Sequence, residues 1–243
     1  MHRFFIDVSA KDAEEICITG DDVAHITRVL RLSEDDEITV CDSDGTECVC
    51  SISSVSKDEV RAWIIRRESG QTEPPVNITL YQGVAKGDKL DTVVQKCVEL
   101  GAVKIVPVAM KRSVAQIKDP VKKQIRMQKI AAEASKQCRR TVIPEVEPVV
   151  SFAQAVDNCS EYELKLLPYE DEKTQSIKTV LKKYNTAKNI CIFIGPEGGF
   201  ADEEVALAKE NGFETVSMGP RILRTETAPL AAITAVMYEL GDW

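Results

Sequence analysis

The chain of 243 residues carries 31 Lys and Arg against 39 Asp and Glu, a formal net charge of −8, and is 44% hydrophobic and 29% charged. That size has room for one large domain or two small ones with real cores, and the balance is that of an ordinary soluble protein. No uncharged run approaches the roughly 20 residues that span a bilayer, and MHRFFIDVSAKDAEE lacks a signal peptide's apolar stretch.

The eight cysteines form no CxxC pair, and the only histidines are His2 and His25. Zinc, disulfide-scaffold and histidine-triad chemistry are therefore not expected. The expectation is a cytoplasmic protein with reduced thiols and no metal.

In chain order, RFFIDV, EICIT, EITVCD, ECVCSISSV and EVRAWIIRR read as short strands, and DSDG supplies a hairpin turn. One helix interrupts them, DDVAHITRVLRL, with acids at its start and Arg28 and Arg31 near its end, as the helix dipole favours. This pattern predicts a small β-barrel over 1–72. The polar ESGQTEPP, 68–75, ends in two prolines and reads as a linker.

Beyond Pro75 the period changes. VNITLYQGVA, VKIVPVAM, YELKLLPYE, NICIFIG and FETVSMG are strand-like. They alternate with helical DKLDTVVQKCVEL, PVKKQIRMQKIAAEASKQCRR, SIKTVLKKY, DEEVALAKENG and APLAAITAVMYEL. Nearly continuous apolar strands alternating with helices predict an α/β domain over 73–243, with a parallel sheet covered on both faces. The last helix has no charge from Ala228 to Tyr238, which suggests a subunit interface as well as a core contact, hence a homodimer.

Charge is unevenly distributed. From Lys111 to Arg140 there are ten basic and two acidic residues, +8 locally, so the remaining 213 residues sum to −16. On the long helix, residues 122, 126, 129, 133, 136 and 140 step by 4 and 3 onto one face, with Met127, Ile130, Ala131, Ala134 and Cys138 opposite. A solvated amphipathic face is the plain alternative. A nearly single-signed stripe repels itself without a polyanion, and nucleic acid is the favoured partner.

Ligands of open α/β sheets bind beyond the carboxyl ends of the strands. Three such ends are unusual here: LLPYE (166–170), IGPEGGF (194–200) and MGPRILRTETAP (218–229). IGPEGGF has the outline of a phosphate cradle, but Pro196 lacks an N–H and Glu197 brings like charge. No GxxxxGK[ST] or GxGxxG occurs, which disfavours a nucleotide-dependent oxidoreductase. A ligand with hydroxyls, an adenine edge or a cation fits better; an ordinary strand-to-helix turn is the alternative. Arg221, Arg224 and Glu226, between a buried strand and a buried helix, need partners or a ligand, though a salt-bridged connection is the alternative.

IGPEGGF followed by MGPRILRTETAPLAAI is similar to the knotted SPOUT methyltransferases. With RFF, HITRVLRL, KGDKLDTVVQKCVELGA and EASKQCRR, the chain resembles the ribosomal RNA small-subunit methyltransferase E family over nearly its whole length. The resemblance implies a PUA-like, RNA-binding barrel, a deep trefoil knot, S-adenosylmethionine as cofactor, a homodimeric active site, and methylation of uridine N3 in 16S rRNA of the small ribosomal subunit.

Carried over by position, the cofactor residues would be Leu167, Pro168, Ile194, Gly195, Pro196, Glu197, Gly198, Gly199, Met218, Gly219, Leu223, Thr225, Thr227 and Ala228. Arg224, and second Arg140, would stabilise charge developing on the uracil ring; Glu197 and Glu226 are candidate bases without an assignment. Arg3, Arg28 and Arg31, with Lys122, Arg126, Lys129, Lys136 and Arg139 of the basic segment, would contact RNA. In one departure, Arg139 stands where the family often has glycine. Methylation of another rRNA or tRNA nucleotide, or an RNA-binding module without catalysis, are the competing readings.

Overall fold

A computed structural model describes residues 2–114 and 117–243. The chain divides into two compact units: Met1–Glu73 with Ser135–Val142, and Pro74–Ala134 with Ile143–Trp243. The segment 135–142, expected to belong with the methyltransferase part, thus folds with the N-terminal unit.

In the N-terminal unit the elements are β1 (His2–Phe5), β2 (Glu15–Thr19), α1 (Asp21–Ala24), β3 (Glu37–Cys41), β4 (Thr46–Val55) and β5 (Glu59–Ser69). The five strands order as β1-β3-β4-β5-β2, with β1 and β3 parallel and the other pairs antiparallel. Register shifts at Val49/Cys50 and Ile52/Ser54 interrupt the β4–β5 ladder, and such bulges bend and twist a sheet. The DSDG turn between β3 and β4 is set by Asp42. Its Oδ1 accepts from the N–H groups of Asp44 (3.0 Å) and Thr46 (2.8 Å), while Gly45 takes φ 78.

The helix expected from residue 21 onward is only partly α-helical. After Ala24 the chain widens into a π-helical turn, His25–Leu30, and ends at Arg31 in the left-handed region, φ 56. The Thr27 hydroxyl donates to the Val23 carbonyl at 2.8 Å, the acceptor an α-helical N–H at 27 would use.

In the second unit, β6 (Asn77–Gly83), α2 (Lys89–Glu99), β7 (Ala102–Ala109) and α3 (Pro120–Cys138) come first, α3 running on into the segment assigned to the N-terminal unit. Next come β8 (Glu145–Val146), β9 (Val150–Ser151), α4 (Phe152–Asp157), β10 (Leu164–Pro168) and α5 (Ile177–Lys183). The chain finishes with β11 (Asn189–Ile194), α6 (Asp202–Glu210), β12 (Glu214–Val216) and α7 (Ala228–Leu240).

The sheet order is β12-β10-β11-β6-β7-β8, with β9 also on β7, and every pairing is parallel. Alternate residues supply two cores. Ile78 and Leu80 of β6 and Ile190, Ile192 and Ile194 of β11 face α2, α3, α5 and α7. Tyr81, Cys191 and Phe193 join α4 and α6 on the opposite face, where Tyr81 and Phe193 stack at 4.4 Å. α4 was not among the expected elements, although its Ser151–Gln154 capping box is written in SFAQ.

Two helices start as their residues dictate. Asp119 Oδ1 accepts the Lys122 N–H at 3.0 Å, capping α3 with Pro120 in its first turn. Pro229 sits in the first turn of α7, whose buried face is Pro229, Ala232, Ile233, Val236, Met237 and Leu240. Its other side is not buried in this chain: Tyr238 is 73% exposed. The expected core contact is thus made by one face of the helix.

Candidate active site

Because β12, β10 and β11 are parallel neighbours, their carboxyl ends emerge along one edge of the sheet. The loops leaving them meet around a cavity of about 860 Å³, within the range of pockets that enclose a cofactor-sized ligand. Its wall comprises Pro168–Lys173, Ile194–Glu197 with Gly199 and Phe200, and Ser217–Glu226 with Ala228. Lys89, in the first turn of α2, joins them.

Each loop is pinned by specific bonds. Tyr169 N–H donates to the Val216 carbonyl at 3.0 Å, extending the β10–β12 pairing into the first loop. Glu172 then accepts from the Thr174 hydroxyl (2.6 Å) and N–H (2.8 Å) and from the Thr215 hydroxyl (2.8 Å). These bonds, the Thr174 hydroxyl's foremost, hold its carboxyl down at about 2.

The second loop closes on itself through Gly199 N–H to the Pro196 carbonyl, 3.0 Å, with Gly199 at φ 67. Phe200 anchors its far end, buried and edge-on to Phe152. The third loop is tied to the second by Thr225, whose hydroxyl donates to the Gly195 carbonyl at 2.7 Å. Gln82 of β6, wholly buried, donates to Thr225 Oγ1 at 3.0 Å.

The acids that make this loop unlike a phosphate cradle are each accounted for. Glu204 is buried and caps α6, accepting from the N–H groups of Ala201 and Lys111, both at 2.8 Å. Glu203 pairs with Lys111 at 3.4 Å and Asp202 with Arg112 at 3.7 Å. Glu197 accepts from the Lys86 N–H (3.0 Å) and from Lys89 Nζ (3.1 Å). Burial pushes its carboxyl up, but its own N–H, that of Lys86 and the Lys89 ammonium together hold it below the usual range.

Eleven of the expected cofactor residues line the cavity: Pro168, Ile194, Gly195, Pro196, Glu197, Gly199, Met218, Gly219, Leu223, Thr225 and Ala228. Leu167 points into the aromatic core instead. Gly198 packs against Arg112, where a Cβ would come within 2.9 Å of backbone, and Thr227 is exposed beside the cavity. Lys89, Gln82 and the run Asp171–Lys173 were not expected. A lone lysine in a helix's first turn and a glutamine inside an apolar strand carry no local signal.

The two candidate arginines part company. Arg224 lines the cavity with its side chain 83% exposed, 3.9 Å from Glu226. Arg140 belongs to the N-terminal unit, its side chain 4% exposed and paired with Glu73 at 2.6 Å. α3 stops at Cys138, and Arg139 turns left-handed at φ 65. The helical step that put residue 140 on the basic stripe does not reach it.

The stripe itself is less single-signed than its sequence suggests. Arg126 pairs with Asp91 (2.6 Å) and Asp88 (3.5 Å), and neighbouring Lys123 with Asp91 (2.6 Å). Lys136 pairs with Asp22 at 2.8 Å. Lys122, Lys129, Arg139, Arg28 and Arg31 have exposed side chains, whereas Arg3 is bound to Glu47 (2.9 Å) and the Cys41 sulfur (2.9 Å). Among the described residues, no group of His, Cys, Asp or Glu is placed to hold a metal ion, and no helix is long and apolar enough to cross a membrane.

Comparison with known proteins gives two family matches, an RNA methyltransferase domain over residues 72–237 and an RNA methyltransferase PUA domain over 18–64. The ribosomal RNA small subunit methyltransferase E of Bacillus subtilis is 37% identical over 98% of this chain and 97% of its own. A ribosomal RNA small subunit methyltransferase E from Neisseria gonorrhoeae, solved bound to S-adenosyl methionine, superimposes with TM-score 0.87. It is 32% identical, covering 100% of this chain and 99% of that one. A putative methyltransferase from Legionella pneumophila, with bound SAM, gives 0.88 at 30% identity over 99% and 98% of the two chains.

Proposed function

The chain belongs to the ribosomal RNA small subunit methyltransferase E family, and on that premise we propose that it transfers the methyl group of S-adenosylmethionine to N3 of a uridine in 16S rRNA. The observation that carries this reading is the cavity formed by three loops at one sheet edge. Its glycines let backbone approach an adenosine, and its carboxylates suit a sulfonium while opposing a phosphate.

The cofactor would be held by the loops after β10, β11 and β12. The uracil would lie so that N3 is in line with the methyl–sulfur bond, with most of the rate coming from alignment and exclusion of water. Neutral N3 is a poor nucleophile, so its proton leaves, and a guanidinium stabilises the resulting ring charge. Arg224 takes that role because it borders the cavity with an exposed guanidinium. Arg140 is engaged by Glu73 within its own unit, and its contribution is to the packing of 135–142.

RNA would be contacted by exposed cations of each unit by itself, Arg28, Arg31 and Arg139 in the N-terminal unit and Lys122 and Lys129 in the second, while Arg3, Arg126 and Lys136 are engaged in ion pairs. The outward side of α7, with Tyr238, supports a homodimer. After β12 at the sheet edge, α7 returns to pack on β11, β6, α2 and α5, the kind of return a SPOUT-type trefoil knot requires. The setting would be the cytoplasm, on the small ribosomal subunit.

Incubation with small subunits carrying unmethylated rRNA and methyl-labelled donor, followed by mass spectrometry of the nucleosides, tests this. 3-Methyluridine from 16S rRNA is the expected product. Label on a ribose oxygen, or in tRNA alone, would refute it.

A further inference from the structure

Five carboxylates and four cationic side chains line the cavity, but water does not screen them equally. Lys89 Nζ lies 3.1 Å from Glu197 Oε1 and 3.4 Å from Glu226 Oε2, and all three side chains are between 24% and 35% exposed. Glu197 belongs to the loop after β11 and Glu226 to the loop after β12, so one ammonium from α2 bridges two walls of the cavity. Glu226 Oε2 is buried and off the line of a hydrogen bond from Lys89, and it has no hydrogen-bond partner. The other cation near Glu226 is Arg224, 3.9 Å away and 83% exposed, where solvent weakens its effect.

One ammonium facing two carboxylates leaves a net negative charge in a part of the wall where the effective dielectric is lower than in water. Building on the proposed methyl transfer, we infer that Glu226, with Glu197 and Lys89, makes this cavity select the charged methyl donor over the neutral product left after transfer. During the reaction the methyl–sulfur bond breaks and its electron pair stays on sulfur. The new bond forms from the N3 lone pair to the methyl carbon, and the N3 proton is released to solvent. The sulfonium thereby becomes a thioether of nearly the same shape, and its positive charge is gone. Shape and hydrogen bonding cannot separate two ligands so alike, whereas an under-neutralised wall can. The donor is held, and the product loses the attraction that kept its precursor in place. Lys89 is a positioning residue, fixing the separation of the two carboxylates.

Calorimetry on the full chain tests this with three probes: S-adenosylmethionine, S-adenosylhomocysteine, and sinefungin, which carries an ammonium in place of the sulfonium. Glu226→Gln is expected to weaken the two cationic ligands by roughly five- to tenfold, while the thioether stays within about twofold. Glu197→Gln should show the same selective loss, and it carries the test should Glu226→Gln not fold. Lys89→Met, which leaves both carboxylates unneutralised, should raise the preference for the two cationic ligands over the thioether, with Lys89→Arg restoring the wild-type ratio. Equal losses for all three ligands in the glutamine variants, or no change in any, would overturn the assignment and leave the cluster a loop brace. A wild-type chain that binds neither donor nor thioether would instead remove the methyltransferase reading itself.

Discussion

The cavity loops and the segment 135–142 both carry arginines, yet the fold treats them in opposite ways. In the loop after β12, charges are left at the cavity wall: Arg224 is 83% exposed, and Glu226 has a buried carboxylate oxygen without a hydrogen-bond partner. In 135–142, Arg140 is 4% exposed, and Glu73 accepts from its guanidinium and from the N–H groups of Thr141 (2.9 Å) and Val142 (3.3 Å). An arginine that a distant carboxylate has claimed braces the chain. One left at a cavity rim is available to a ligand. The local sequences do not distinguish these cases, because the deciding partner lies 67 residues away from Arg140.

The sharpest way to break the contrast is Glu73→Ala. It removes the carboxylate that pairs with the buried Arg140 guanidinium and accepts from two backbone N–H groups, and should cost about 2–4 kcal/mol in urea unfolding. Donor affinity of the folded protein should be unchanged. A loss of donor binding with stability intact would return Arg140 to the active site.

On the cavity side, Gly83→Ala puts a Cβ within 2.5 Å of the Pro196 nitrogen and 2.9 Å of the Gly195 carbonyl carbon. Backbone must then shift, and S-adenosylmethionine affinity should fall roughly tenfold by calorimetry, about 1.4 kcal/mol of the cost typical of overpacking.

Glu172 sharpens the comparison through pH. Its folded carboxyl is held at about 2 against an ordinary 4.5, so its stabilising contribution is complete above about 4.5 and disappears as the pH falls to about 2. Acid unfolding of Glu172→Gln should therefore differ from wild type most above that window and converge with it at the acid end. A constant offset across the window would show that the loop is not held through ionised Glu172.

The smallest effect is expected at Arg139, which lies in the left-handed region at φ 65. Arg139→Gly should raise stability by about 0.5–1 kcal/mol, read as a small increase in Tm, because glycine adopts this conformation without a steric penalty. A decrease would mean that its side chain makes up for the strain.

Much of the second unit was legible because its determinants are local. Apolar runs between glycines and prolines marked β6, β7, β10 and β11, and parallel pairing made the ends of β10, β11 and β12 neighbours. The cavity residues in IGPEGGF and MGPRILRTETAP could thus be read as one site. Glu204, an ordinary helix-start acid along the chain, is a buried cap that also binds Lys111 N–H. The charge of the basic stripe is partly offset, because Asp88 and Asp91 pair with Arg126 and Asp22 with Lys136. The π-helical turn at His25–Leu30 was missed, since a periodicity of apolar residues does not separate neighbouring helical pitches over six residues.

By itself, then, the sequence determined the alternation of strands and helices, the parallel sheet, the three loops that meet at its edge and the family to which the chain belongs. Each follows from hydrophobic periodicity or from residues adjacent in the chain. The tertiary structure alone decided the partners of the charges: Lys89 between Glu197 and Glu226, Arg140 against Glu73, Gln82 beneath Thr225. An ion pair or a buried hydrogen bond forms between groups brought together by folding, and nothing in the neighbourhood of either residue along the chain records the other.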